Sequence, residues 1–149
     1  MHRAVNIVPF AFAILACAKT ETPAADSAAM AAAPAALTEA DIAGTWTGVA
    51  MLETSDSVVG RWTQICGGGV CKGINEGAPD TVASTYRIEG DSSIGTSSAF
   101  TEPNLKLRLV DTWVARIQDG KVVGTSVSKL ADKDSVVMRT RFSGTRSVQ

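Results

Sequence analysis

Cys66 and Cys71 bracket four residues, three of them glycine, in the stretch CGGGVC. Two thiols at that spacing can meet across the tip of a hairpin and oxidise to a disulfide, provided the chain resides in an oxidising compartment. A loop this short restrains the unfolded chain only modestly, worth about 2 kcal/mol. Two other chemistries are open to the pair and fit less well: a metal clip needs further Cys or His ligands, and a redox pair favours two intervening residues. The single histidine, His2, lies near the start of the chain. If a leader is removed there, no imidazole is left for a His-dependent triad or a His-ligated metal.

Other motif-like stretches fail on context. Ser126 to Lys129, SVSK, has the letters of the S-x-x-K acyl-enzyme motif, but that motif needs a helix to bring positions i and i+3 together, and this segment alternates like a strand. GGGVCKG around Lys72 lacks the Gly-Lys-Ser/Thr ending and the following helix of a phosphate loop. Asp132 and Asp134 sit in a turn without the glycine or distal Glu of an EF-hand. The expectation is a protein that is not an enzyme and holds no cofactor or metal. With 19% charged residues and a formal charge of -1, the chain also lacks the clustered basic excess of a nucleic-acid surface.

The elements that position these residues begin with a leader. Met1 to Asn6 carries Arg3 and the amino terminus as positive charge, and an apolar run follows from Ile7 to Ala16, interrupted only by Pro9. As a helix that run would rise about 15 Å, half a bilayer core, which suits a signal peptide over residues 1–16 better than a membrane span. It ends in ILAC, Ile14 to Cys17, which resembles the lipobox of bacterial lipoproteins. The resemblance implies that Cys17 is acylated on its thiol, becomes the new amino terminus and anchors the chain in a membrane. An ordinary secreted protein cut at an A-x-A-like site such as Ala11 to Ala13 is the competing reading. Ala18 stands where, by family analogy, an Asp would favour the inner membrane, so the expected location is the outer membrane, facing the periplasm. The segment 17–37 is nearly all Ala, Thr, Pro, Ser, Asp and Glu without an aromatic, and reads as a flexible, disordered tether.

From Gly44 the composition shifts to Val, Thr, Trp, Ser and Arg, punctuated by Gly and Asp about every dozen residues, the signature of an all-β domain over residues 38–149. Strands are predicted at 45–53, 57–66, 70–76, 81–89, 92–100, 105–118, 121–130 and 135–146, with Asp119-Gly120 as a type I′ turn. Short connections make this an eight-stranded antiparallel meander. The sixth strand places Leu105, Leu107, Leu109, Trp113 and Ile117 on one face; the eighth places Val136, Met138 and Phe142 on one side and Arg139 and Arg141 on the other. Strands that are dry on one side leave two unpaired edges unless the sheet closes.

Ahead of the first strand, Thr38 and Asp41 have capping-box spacing, and then comes GTW, Gly44 to Trp46. This resembles the G-x-W opening of lipocalin and avidin-like barrels. The resemblance implies a lipocalin-like barrel in which Gly44 and Trp46 close one end, the tryptophan lying beneath a basic residue from a late strand, Arg139, Arg141 or Arg146. An open sheet or sandwich is the alternative. Asp111 interrupts the dry face of the sixth strand between Leu109 and Trp113. Either it meets an inward polar residue such as Thr125 or Thr140 and marks a ligand site, or a bulge turns it to solvent. An eight-stranded barrel can be filled by side chains or hold one small ligand. The functional expectation is therefore binding or carriage of a small, hydrophobic molecule lined by Trp62, Tyr86, Asp111, Trp113 and Met138, without nucleic acid. The alternative is an envelope adaptor with a filled barrel that binds another protein.

Overall fold

Alternating apolar and polar residues present a dry face every second position, and hairpins with two-residue turns keep successive strands in register. In the computed structural model, which describes residues 35–78 and 80–147, this produces nine strands after one short helix. They are α1 (Glu39–Ile42), β1 (Gly44–Leu52), β2 (Val58–Gly67), β3 (Val70–Asn75), β4 (Val82–Glu89), β5 (Ser92–Ser97), β6 (Phe100–Thr101), β7 (Arg108–Gln118), β8 (Lys121–Leu130) and β9 (Val136–Arg146). Every pairing is antiparallel, and each strand pairs with the next except β5, which does not pair with β6. β1 pairs with β9 and β5 with β7, so eight strands form a closed barrel and the two-residue β6 is an appendage of β7. The expected signal peptide, Cys17 and nearly all of the expected tether lie outside the described residues.

The barrel has two unlike ends. At one, β2–β3, β4–β5 and β7–β8 are joined by two-residue turns, Gly68-Gly69, Gly90-Asp91 and Asp119-Gly120. Gly68 and Gly69 have φ of 62° and 77°, and Asp119 and Gly120 have φ of 51° and 73°. Both pairs are left-handed at the two central positions, as a type I′ turn requires. α1 lies at this end, capped by Thr38, whose backbone N–H and hydroxyl both donate to Asp41 Oδ2, at 2.9 and 2.6 Å. These two hydrogen bonds hold the Asp41 carboxyl below its ordinary pKa. The chain arrives here too, since the Leu37 N–H donates to the Gly90 carbonyl at 2.8 Å. The connections at the opposite end are longer, and Val58, Leu105, Leu107 and Val136 are exposed there.

Two expectations need correction. Leu105 and Leu107 do not share the dry face of β7, which starts only at Arg108. Lys106 adopts φ of 58° and donates its N–H to the Glu102 carbonyl, folding residues 102–107 into a self-bonded loop that leaves both leucines exposed. Val136 is likewise exposed, at the first position of β9.

Candidate functional site

The closed end is built around Trp46. Its indole N–H donates to the Ile42 carbonyl at 2.7 Å, and the ring is 4% exposed. The Arg146 guanidinium stands over it, 4.8 Å from the ring centroid, and also donates to the carbonyls of Ala40 and Asp41 at the end of α1. Trp46 and Arg146 are direct cross-strand partners, so of the three arginines weighed, Arg146 is the one that closes the barrel; Arg139 and Arg141 point outward. Beside them Ile42, Cys71 and Tyr86 form a buried cluster, with Leu37, Cys66, Ile88 and Trp113 packed against it. Glu39 ties the cluster together: its Oε1 accepts from the Gly68 N–H and the Tyr86 hydroxyl, both at 2.6 Å. Burial first, and the Glu39 hydrogen bond second, push the Tyr86 phenol up to about 12. Cys66 and Cys71 are disulfide-bonded across the β2–β3 pair, with an S–S distance of 2.07 Å.

Above this base the barrel encloses a cavity of about 180 Å³ that runs toward the loop end. Trp62, Trp113, Phe100, Phe142 and Met138 are among the residues of its apolar wall. The aromatic rings do not fill it because glycines stand opposite them. Trp62 pairs across the ladder with Gly48, which pairs in turn with Gly144; Trp113 pairs with Gly95 and Phe142 with Gly124. A Cβ at Gly48 or Gly144 would lie 2.3 or 2.6 Å from the Trp62 ring, one at Gly95 2.2 Å from Trp113, and one at Gly124 2.5 Å from Phe142. Real side chains never come that close. The rings therefore lie flat against the wall in slots that only glycine leaves open, and the barrel axis stays free.

Asp111 is the charged side chain deep in this lining. The β7–β8 ladder passes through Asp111↔Ser128 without a bulge, so the side chain keeps its place on the inner face between Leu109, which is fully buried, and Trp113. The β5–β7 ladder ends at Thr96↔Thr112, one residue short, and Ser97 Oγ takes up the Asp111 N–H at 2.9 Å. Neither expected partner meets the carboxyl. Thr125 is on the outer face, and Thr140 shares a 2.7 Å hydrogen bond with Ser126. One oxygen, Oδ1, is sealed from water and has no hydrogen-bond partner. Burial raises the Asp111 pKa above the usual carboxylate value, against the opposing hydrogen bond of Ser128.

Models of known protein families, curated proteins and solved structures yielded no match to this chain. The site therefore rests on its geometry alone. Of the five residues expected to line a ligand space, Trp62, Asp111, Trp113 and Met138 line the cavity. Tyr86 does not; it faces inward but lies at the depth of the base, 6.3 Å from Trp113 by ring centroids. Trp113 thus belongs to both regions, as the floor of one and the roof of the other. Phe100, Phe142 and the glycine slots were not anticipated. Phe142 shares its parity with Met138, a signal the sequence carries, whereas pairing a glycine with a ring requires the register.

Proposed function

We propose that this protein is a membrane-anchored carrier or binder that takes one small, largely apolar molecule into a lipocalin-like barrel. The observation that supports it is the cavity kept open by the glycine-backed rings of Trp62, Trp113 and Phe142. Its size narrows the cargo. A cavity of about 150 Å³ with an apolar lining accepts benzene, and drug-sized ligands occupy roughly 300–1,000 Å³. At about 180 Å³ the lumen suits a single ring with a short substituent, not a fatty acid or a polycyclic pigment. Anchoring is part of the same reading and is supported by ILAC behind an apolar leader. Acyl chains on Cys17 would make membrane attachment durable, and an oxidising periplasm accords with the Cys66–Cys71 disulfide.

Native mass spectrometry on protein extracted from its own membranes tests the cargo: the expected result is a small-molecule adduct released on unfolding. A chain that is always free of cargo, and whose tryptophan fluorescence ignores small aromatic compounds, overturns it. For the anchor, labelled palmitate should enter the parent chain and not a Cys17→Ser variant. The adaptor reading has one observation in its favour, the exposed Ile65, Ile74 and Val70 on the outer face of β2 and β3. Cross-linking in intact cells that recovers no recurrent partner removes it.

A further inference from the structure

We propose that the lumen selects organic cations, specifically small aromatic or aliphatic amines, with Asp111 as the counter-ion for the ammonium group. This rests on the binding reading above and specifies the class of ligand. The charged side chains that line the cavity, among the described residues, are Arg61, Glu76 and Glu102 near the loop end and Asp111 deep inside. Arg61 is already matched by Glu76, with 3.8 Å between Nε and Oε2, so the lining carries an excess of negative charge and no free cation. A passage of one sign surrounded by low-dielectric walls concentrates ligands of the other sign.

Deeper in, the chemistry is that of an ammonium site. Asp111 Oδ1 is buried without a donor, a situation that costs free energy in the empty protein and that a ligand N–H relieves. A carboxylate turns readily about χ2, so a donor arriving along the barrel axis can reach either oxygen. Trp113 stands two residues along the same inner face, and Trp62 and Phe142 meet edge to face, 6.1 Å between centroids, across the lumen wall. Indole and phenyl faces attract cations as well as apolar groups. An anionic ligand would meet the opposite of what it needs, a carboxylate with no basic residue beside it. A neutral ligand would fill the space and leave Oδ1 as it is, or supply a weaker hydrogen bond.

The test uses three probes of one size: benzylamine, benzyl alcohol and benzoate, titrated into the full chain by calorimetry and by quenching of tryptophan fluorescence. A charged hydrogen bond made inside the lumen predicts that benzylamine binds at least about tenfold more tightly than benzyl alcohol, with benzoate weakest. In Asp111→Asn, with folding checked by its melting transition, the advantage of the amine over the alcohol should vanish. Equal binding of amine and alcohol to the parent chain overturns the cation assignment and leaves the binding reading standing. An amine advantage that survives Asp111→Asn overturns the role of Asp111. Binding of none of the three overturns both. The ranking on the parent chain needs no variant, so it holds even if the substitution impairs folding.

Discussion

The two ends of this barrel handle the same problem, a ring of strand termini, in opposite ways. At the base, three two-residue turns, a capped helix, a disulfide and the Trp46–Arg146 stack fasten the strand ends together. Toward the loops, the connections lengthen, apolar residues such as Leu105 and Val136 stay exposed, and the ion pairs Arg61–Glu76, Lys129–Asp134 and Arg141–Asp56 are solvated. The lumen lies between them. Its aromatic side chains are as large as those of the base, but they are spread on glycine instead of interlocked. The contrast teaches that close packing and an open interior are assigned to different depths of one sheet.

Substitutions at different depths sharpen or break that comparison. Trp46→Ala should be the most damaging, removing the plug beneath Arg146 and costing about 3–5 kcal/mol in denaturant unfolding; a loss below 1 kcal/mol would mean the base is not the stabilising end. Gly95→Ala drives a methyl into the Trp113 ring and should cost roughly 1–3 kcal/mol, with altered Trp fluorescence as the ring moves into the lumen. Paired Cys66→Ser and Cys71→Ser changes should cost about 2 kcal/mol, equal to the effect of reductant on the parent chain.

Asp111→Asn goes the other way. The folded pKa of Asp111 is raised, so the folded state holds its proton more tightly than the unfolded chain does. Asp111 therefore favours folding fully only below its ordinary carboxylate pKa, and that contribution is lost as pH rises through the raised value. The asparagine variant should be the more stable at neutral pH by about 1 kcal/mol, and its advantage should shrink as the pH falls toward about 4. Thermal melts at several pH values measure this. Least of all, Arg61→Ala should change stability by under about 0.5 kcal/mol, because both partners of its ion pair are exposed.

Much of the barrel was legible in the sequence. Period-two alternation and turn dipeptides such as Asp119-Gly120 are local signals, and the eight principal strands lie close to where they place them. Parity carried further information. Met138 and Phe142 fix even positions of β9 as inward, which singles out Arg146 over Arg139 and Arg141 as the residue able to reach Trp46. Alternation also places Asp111 inward, and the unbroken β7–β8 ladder keeps it there. Depth along a strand was not legible, and so Tyr86 and Trp113 looked equivalent although Tyr86 belongs to the base alone and Trp113 reaches the lumen. Nor does alternation announce where it stops. The Leu-x-Leu-x-Leu pattern of 105–109 continues past the point at which Lys106 leaves the extended region. The glycine slots depend on long-range register, which no stretch of neighbouring residues encodes.

The hydrogen bond from Leu37 to Gly90 fixes where the chain enters the barrel, on the side of the tight turns. Anything that fastens residues upstream of Leu37 therefore holds the molecule by its foot. Under the proposed anchoring and binding, tension would fall on the cross-linked, helix-braced rim, and the loops at the far rim would stay unencumbered for the passage of a small molecule.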